Sequence, residues 1–145
     1  MIRENRMNIS RVILATLGGF AAYFVLGGLT FVALPSLKSE FLKYPAVYRP
    51  AEGIKSTMPL GMAAMLISIF ALAILYAFAY QEGSGLVEGA RFGALIGLFA
   101  IGAFVVHNYV NLNIGLALTV QQAVAYFVEW TITGLVIGLI YRPAR

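Results

Sequence analysis

Four long apolar runs constrain this chain more than any other feature of its sequence. Residues 12–34 and 59–80 contain no charged side chain, and residues 91–111 and 119–141 contain one each. A helix of about 20 apolar residues is long enough to cross the hydrocarbon layer of a bilayer. The sequence therefore predicts an all-α, polytopic membrane protein, a four-helix up-and-down bundle in which residues 1–145 form a single membrane domain.

Composition and charge agree with this class. The chain is 61% hydrophobic and 11% charged, whereas soluble domains are about half apolar and about a quarter charged. It has no cysteine, which excludes disulfides and thiolate chemistry. The net charge of +4 comes from basic residues near the ends of the runs, where lipid headgroups attract them. We therefore expect the lipid bilayer, and no nucleic acid, as a partner.

Residues 35–58 connect the first two runs and predict more than a bare linker. Leu37, Phe41 and Tyr44 recur at helical spacing, which indicates a short amphipathic helix in the plane of the membrane interface. The segment serves either as an interfacial lid or as a substrate-recognition loop. Pro59 is expected in the first turn of the second span, where its missing N–H does no harm. The residues expected at headgroup level are Tyr44, Tyr48 and Arg49.

The distribution of Lys and Arg predicts the orientation. In a four-span protein both termini share one side, together with the turn near Arg91, and that side carries six basic residues against four in the long connection. The positive-inside rule then places both termini in the cytoplasm. The six basic residues are Arg3, Arg6, Arg11, Arg91, Arg142 and Arg145.

Stripes of small and polar residues predict which helix faces meet, because helices associate in lipid through close packing and polar contacts. Each run carries one such stripe. The stripes are Thr16, Gly19, Tyr23, Gly27 and Thr30; Gly61, Ala64, Ser68 and Ala71; Gly89, Gly93, Ala100, Ala103 and His107; and Gln122, Ala125, Tyr126, Glu129 and Thr133.

Gly134 and Gly138 form a G-x-x-x-G pair on another face of the fourth run. That face is expected to lie outside the bundle interior. It either packs against another helix or joins two protomers.

Glu129 is the candidate for function, because it is the only charge well inside an apolar run. A carboxyl near the bilayer midplane is expected to be neutral or hydrogen-bonded, with Tyr23 or Ser68 as its partner. It serves as a structural clamp, as a site for a proton or cation, or in catalysis. His107 is expected nearer the membrane surface, followed by Asn108 and Asn111, which can satisfy backbone groups at the helix end.

No cofactor, metal site or catalytic residue is predicted. One histidine and one intramembrane acid do not supply the several spaced ligands of a metal or haem site. The chain has no phosphate-binding loop, nucleophile elbow or H-E-x-x-H motif, so an ordinary hydrolase or nucleotide enzyme has no support.

The segments "YPAVYRP", "EGARFGALIGL", "HNYVNLNIG" and "AYFVEW" resemble small bacterial four-span membrane proteins that are grouped as domains of unknown function. The resemblance spans the chain and implies a multi-pass protein of the inner (plasma) membrane, with no activity attached. The sequence favours a non-enzymatic bundle that self-associates or joins a membrane complex. The alternatives are a small transporter or proton-coupling protein using Glu129, and an intramembrane enzyme acting on a lipid or quinone-like substrate near His107.

Overall fold

Helices account for nearly all of residues 7–142, which are the residues that the computed structural model describes. Four helices are long and apolar enough to cross a membrane, which confirms the all-α, four-span prediction. The third span is one continuous helix, Gly85–Asn111, with a π-helical stretch inside it. The elements are α1 (Ile9–Ala33), α2 (Pro35–Leu42), α3 (Ala51–Ala79), α4 (Gly85–Ala100), the π-helical segment (Ile101–Val106), α5 (His107–Asn111) and α6 (Leu116–Tyr141).

The second span begins eight residues earlier than predicted, so Pro59 lies inside α3 rather than in its first turn. The helix starts at Ala51 after Pro50, and Glu52 lies in the first turn, where a carboxylate complements the positive end of the helix dipole. Pro59 removes the backbone bond to the carbonyl of Lys55. Because Lys55 belongs to the polar end of α3, water at the interface can satisfy that carbonyl.

The helix α6 is the centre of the bundle, with α1 and α4 on two of its sides and α3 packed mainly against α1. The guanidinium of Arg11 donates to the carbonyl of Ile140 at 3.2 Å, so the start of α1 and the end of α6 lie together. We call this the terminal side and the opposite face, which carries α2, the loop side. Of the basic residues counted for the terminal side, Arg3, Arg6 and Arg145 lie outside the described residues.

The α4–α6 contact depends on glycines from both helices. A Cβ at Gly89 would lie 2.5 Å from the carbonyl oxygen of Gly134, and a Cβ at Gly138 would lie 2.7 Å from the Cα of Gly89. Backbone atoms that close leave no room for a side chain. The expectation that Gly134 and Gly138 lie outside the bundle interior was wrong, because α4 occupies that face within the same chain.

A second hydrophobic cluster lies on the loop side. Leu37 of α2 is buried with Ile114, Leu118 and Ala125, and the connection after α2 packs on this cluster. The predicted short amphipathic helix is therefore present as α2. Its polar edge is exposed, where Lys43 donates to Glu40, and this bond raises the pKa of the Lys43 ammonium above its ordinary value.

Only the half of α3 nearer the terminal side packs firmly on the bundle. Its buried residues are Ile69, Ala73, Tyr76 and Ala77, whereas the small-residue stripe predicted to face inward is exposed. Ser68 explains the error, because its hydroxyl donates to the Ala64 carbonyl at 2.9 Å and needs no partner from another helix. The exposed stripe consists of Gly61, Ala64, Ser68 and Ala71.

The π-helical segment Ile101–Val106 changes which residues of the third span face inward. Gly89, Gly93 and Ala100, before or at its start, are buried as expected, but His107 after it is exposed. A π turn accommodates one extra residue, which rotates all later side chains by about 100° relative to a regular α-helix. The predicted stripe therefore faces inward only as far as Ala100: Ala103 is exposed like His107, and Val105 is the buried residue beyond the start of the π-helical segment.

Candidate functional site

Glu129 lies in the contact between α6 and α1, with 7% of its surface exposed. Its carboxyl oxygen Oε1 is 3.1 Å from the hydroxyl of Thr30. Gly27, one turn earlier on α1, leaves space beside the same oxygen, since a Cβ there would lie 3.9 Å away. The carboxyl therefore meets α1 near the loop-side end of that helix, and its partner is Thr30 rather than the predicted Tyr23 or Ser68.

The Thr30 hydroxyl lies within hydrogen-bond distance of two acceptors. The Thr30 hydroxyl oxygen is 2.8 Å from the carbonyl oxygen of Leu26 and 3.1 Å from Glu129 Oε1. A hydroxyl has one proton to donate, and a carbonyl can only accept. The Thr30 hydroxyl is the donor in both contacts and shares its one proton between the two oxygens, with the shorter contact to Leu26. A protonated Glu129 would relieve this competition, because the carboxyl could then donate to the Thr30 oxygen.

Aromatic side chains surround the carboxyl. The ring of Tyr23 contacts that of Trp130 at a centroid distance of 4.9 Å. Tyr23 and Tyr126 both lie within electrostatic range of Glu129, and Tyr126 also lies within range of Tyr48 from the connection after α2. Glu129, Tyr23 and Tyr126, which the sequence predicts as site residues, therefore form one cluster. Tyr48 joins this cluster from the loop side.

Thr133 differs from every other threonine of residues 7–142. Each of the others donates its hydroxyl to the carbonyl four residues earlier; these are Thr16, Thr30, Thr57, Thr119 and Thr131. The hydroxyl of Thr133 has no hydrogen-bond partner among the described residues although the residue is 0% exposed. Thr133 lies one helical turn from Glu129 on the same face of α6, so its free hydroxyl belongs to the same cluster.

Two more buried polar atoms near this cluster lack a partner within the described part of the chain. They are the indole nitrogen of Trp130 and the hydroxyl oxygen of Tyr48. A buried polar group without a hydrogen bond costs about 1–3 kcal/mol. Thr133 and Trp130 lie on α6 within one turn of Glu129, so a small hydrogen-bonding molecule beside the carboxyl would have two groups to bind.

Four of the predicted site residues do not join the cluster. Ser68, His107, Asn108 and Asn111 are all exposed. Asn111 has the predicted capping role, because its amide donates to the carbonyl of His107 at 2.8 Å. Gln122 is half-buried, and it is its neighbour Gln121 that accepts a hydrogen bond, from Ser36 of α2.

The loop residues predicted to lie at headgroup level have three different environments. The hydroxyl of Tyr44 accepts a hydrogen bond from the backbone N–H of Gly115, 2.9 Å away, at the start of α6. Tyr48 packs against Phe41 with ring centroids 4.7 Å apart, and Arg49 is exposed. Two of the three therefore fasten the connection to the bundle.

Sequence reasoning missed the roles of Thr30, Trp130 and Tyr48 at this site. The sequence pattern places Thr30 on the small-residue stripe of the first run and Tyr48 at headgroup level, and Trp130 belongs to no polar pattern. The signal for Trp130 was its position beside Glu129 in "VEW", since the N–H of an indole in the middle of a span needs a hydrogen-bond acceptor. Among residues 7–142 no group of three His, Cys, Asp or Glu side chains could hold a metal ion.

No family model, curated protein or solved structure matches this chain. The geometry of the chain itself therefore carries the functional argument.

Proposed function

We propose that this protein is a small non-enzymatic membrane bundle that assembles with a second copy of itself through α3. The observation that carries the proposal is the exposed stripe of small residues on α3, on the side of the helix that does not pack against α1. The stripe extends over three helical turns, and nothing lies within 4 Å of a Cβ placed at Gly61.

Such a stripe has a physical use in a bilayer. Helices in lipid are not driven together by the hydrophobic effect, so they associate where small residues let their backbones come close. Glycines already serve that purpose between α4 and α6; they are Gly85, Gly89, Gly93, Gly97, Gly134 and Gly138. The stripe on α3 is the equivalent surface left without a helix against it.

A second copy suits this surface because a symmetric dimer brings the same patch of both subunits together. Two α3 helices related by a two-fold axis along the membrane normal would place Ala64 opposite Ala64 of the other copy. Along the centre of this contact each helix then offers the other small side chains and the self-bonded Ser68, with Leu60 and Ile67 exposed at its edge.

The distribution of basic residues supports a proposed location in the membrane. The basic residues favour the inner (plasma) membrane with both termini in the cytoplasm. The loop side, with α2 and the exposed Lys38, Lys43 and Arg49, then faces the exterior or periplasm.

Cysteine cross-linking in the bilayer tests the dimer. The natural chain contains no cysteine, so Ala64→Cys introduces a single thiol. Disulfides form when two Cα atoms come within about 6 Å, and we expect mild oxidation of reconstituted Ala64→Cys to give a covalent dimer. The matched control is Leu95→Cys on α4, whose side chain is also exposed but lies outside the stripe.

The dimer band should persist when the protein is diluted with lipid, and Gly61→Leu introduced together with Ala64→Cys should abolish it. Equal cross-linking of Ala64→Cys and Leu95→Cys would reveal random collision and overturn the proposal, as would a monomer at every lipid ratio.

A further inference from the structure

We propose that Glu129 is a proton-exchange site, whose carboxyl trades its proton with the aqueous phase on the loop side through Tyr126, Tyr48 and water held by Thr133 and Trp130. This proposal is independent of assembly through α3, because none of the exposed stripe residues touches the Glu129 cluster.

The first step is the proton on Glu129. The Thr30 hydroxyl has one proton for its two contacts, to Leu26 and to Glu129, and a protonated carboxyl would supply the second. The groups that face the carboxyl are Thr30 and Tyr23 from α1, Tyr126 from α6 and, beyond it, Tyr48 from the connection. None of them is a cation, so a carboxylate at this depth would have no compensating charge.

The second step is the water. Trp130 is next to Glu129 in the sequence, and Thr133 lies one turn from it. The indole N–H of Trp130 and the hydroxyl of Thr133 are both buried without a partner among residues 7–142. The indole N–H can only donate, whereas a hydroxyl can donate or accept. Water does both, and buried waters typically satisfy two to four polar groups. A metal cation fits the site less well, because it cannot accept the hydrogen bond of Trp130.

The third step is the path to the surface. Tyr126 lies three residues before Glu129 on α6, and its neighbour Ala125 is buried in the cluster against which Tyr48 packs. Tyr48 lies in the connection after α2, and its buried hydroxyl has no partner within the described residues. In a transfer, Glu129 releases its proton to water. Each tyrosine hydroxyl then accepts one proton as it gives up its own, so the tyrosines end unchanged and the proton leaves on the loop side.

Proton release has a structural consequence. A deprotonated Glu129 can only accept hydrogen bonds, so Thr30 would have to choose between the carboxylate and the Leu26 carbonyl. If Thr30 keeps its bond to Leu26, the contact between α1 and α6 is lost; if it turns to the carboxylate, that contact strengthens and the bond within α1 is lost. Protonation of the carboxyl therefore changes which hydrogen bond Thr30 makes.

Infrared spectroscopy of the full chain in lipid bilayers tests the proposal. The stretching band of a protonated carboxyl is identified as the band lost in Glu129→Gln, and its shift after transfer from H₂O to D₂O reports proton exchange. We expect the natural protein to have this band at neutral pH. We also expect it to shift in D₂O while the backbone amides of the spans remain unexchanged.

Variants of the path give the sharper result. Thr133→Val and Tyr48→Phe each remove one hydroxyl and should slow the exchange by about fivefold, the equivalent of one net hydrogen bond. Thr131→Val is the matched control, since the Thr131 hydroxyl donates to its own helix at Phe127. A merely structural role for Thr133 or Tyr48 predicts the opposite sign, because loosened packing would admit solvent and speed the exchange.

The proposal would be overturned if the carboxyl band of the natural protein shifted only after the core amides had exchanged. This outcome does not depend on whether any variant folds. The absence of a protonated band at neutral pH, or its loss on adding sodium ions at constant pH, would overturn it as well. The second of these outcomes would indicate a metal-cation site.

Discussion

Thr30 and Glu129 meet at 3.1 Å although they lie 99 positions apart in the sequence. Thr30 is one turn from the end of α1, whereas Glu129 is near the middle of α6. The helix α6 therefore extends beyond α1 on the loop side, and α2 packs on the part that extends, where Leu37 is buried near Leu118. This offset places the carboxyl beneath α2 rather than at the centre of a four-helix layer.

One methyl group added at the glycine contact between α4 and α6 is expected to lower the stability of the protein strongly. A Cβ at Gly93 would lie 2.7 Å from the carbonyl oxygen of Thr131 and 2.9 Å from its Cα, so backbone has to move. We expect Gly93→Ala to lower the free energy of unfolding by about 1–3 kcal/mol, as for other overpacked cores. Thermal unfolding in mild detergent measures the effect.

The control for this prediction is Gly28→Ala, because Gly28 lies inside α1 and a Cβ there would have nothing within 4 Å of it. The stability of this variant should be unchanged or slightly higher, since alanine favours a helix more than glycine does. Equal stability of Gly93→Ala and Gly28→Ala would show that α4 and α6 are not in close contact.

Tyr44 fastens the connection after α2 to the start of α6. Its hydroxyl accepts from the Gly115 N–H, one of the backbone donors that a helix start cannot satisfy internally. We expect Tyr44→Phe to lower the free energy of unfolding by about 1 kcal/mol and to raise protease sensitivity between α2 and α3. Tyr109→Phe alters an exposed tyrosine and should do neither; similar behaviour of the two variants would contradict this role of Tyr44.

The proposed orientation can be measured with single cysteines in the natural cysteine-free chain. Glu52→Cys lies at the loop-side start of α3, and Gln81→Cys lies in the turn on the terminal side. A thiol reagent that cannot cross membranes should label Glu52→Cys in intact cells, and Gln81→Cys only after permeabilisation. The reverse pattern would place both termini outside.

The spans could be predicted from the sequence because the requirement to fill about 30 Å of hydrocarbon dominates all local preferences. The inner faces of α1 and α6 also followed from their stripes, since Gly19 packs against Ile137 and Thr30 meets Glu129. The short helix α2 was visible because an interfacial helix keeps a regular apolar spacing, with Leu37 as its buried residue.

Three features could not be read from the pattern. Ser68 bonds to its own helix, so its polarity did not mark an inner face. The π-helical segment Ile101–Val106 has an ordinary apolar sequence, so the sequence pattern did not indicate that His107 would face outward. The predicted partners of Glu129, Tyr23 and Ser68, were wrong, because matching residues near the bilayer midplane assumes that all helices begin at the same level, whereas α6 is offset from α1 and meets it at Thr30.

The contact between Glu129 and Thr30 is the centre of this account, and a double-mutant cycle tests it most directly. Unfolding free energies would be measured in mild detergent for Glu129→Ala, Thr30→Val and the double variant. We expect each single variant to lose about 1–2 kcal/mol and the pair to couple by about 0.6–1.7 kcal/mol, the range of interhelical hydrogen bonds in membranes. Glu129→Gln keeps a donor for Thr30 and should stay within about 0.5 kcal/mol of the natural protein. Strictly additive losses in Glu129→Ala and Thr30→Val would contradict the account, because they would mean that the two side chains do not hold α1 to α6 together.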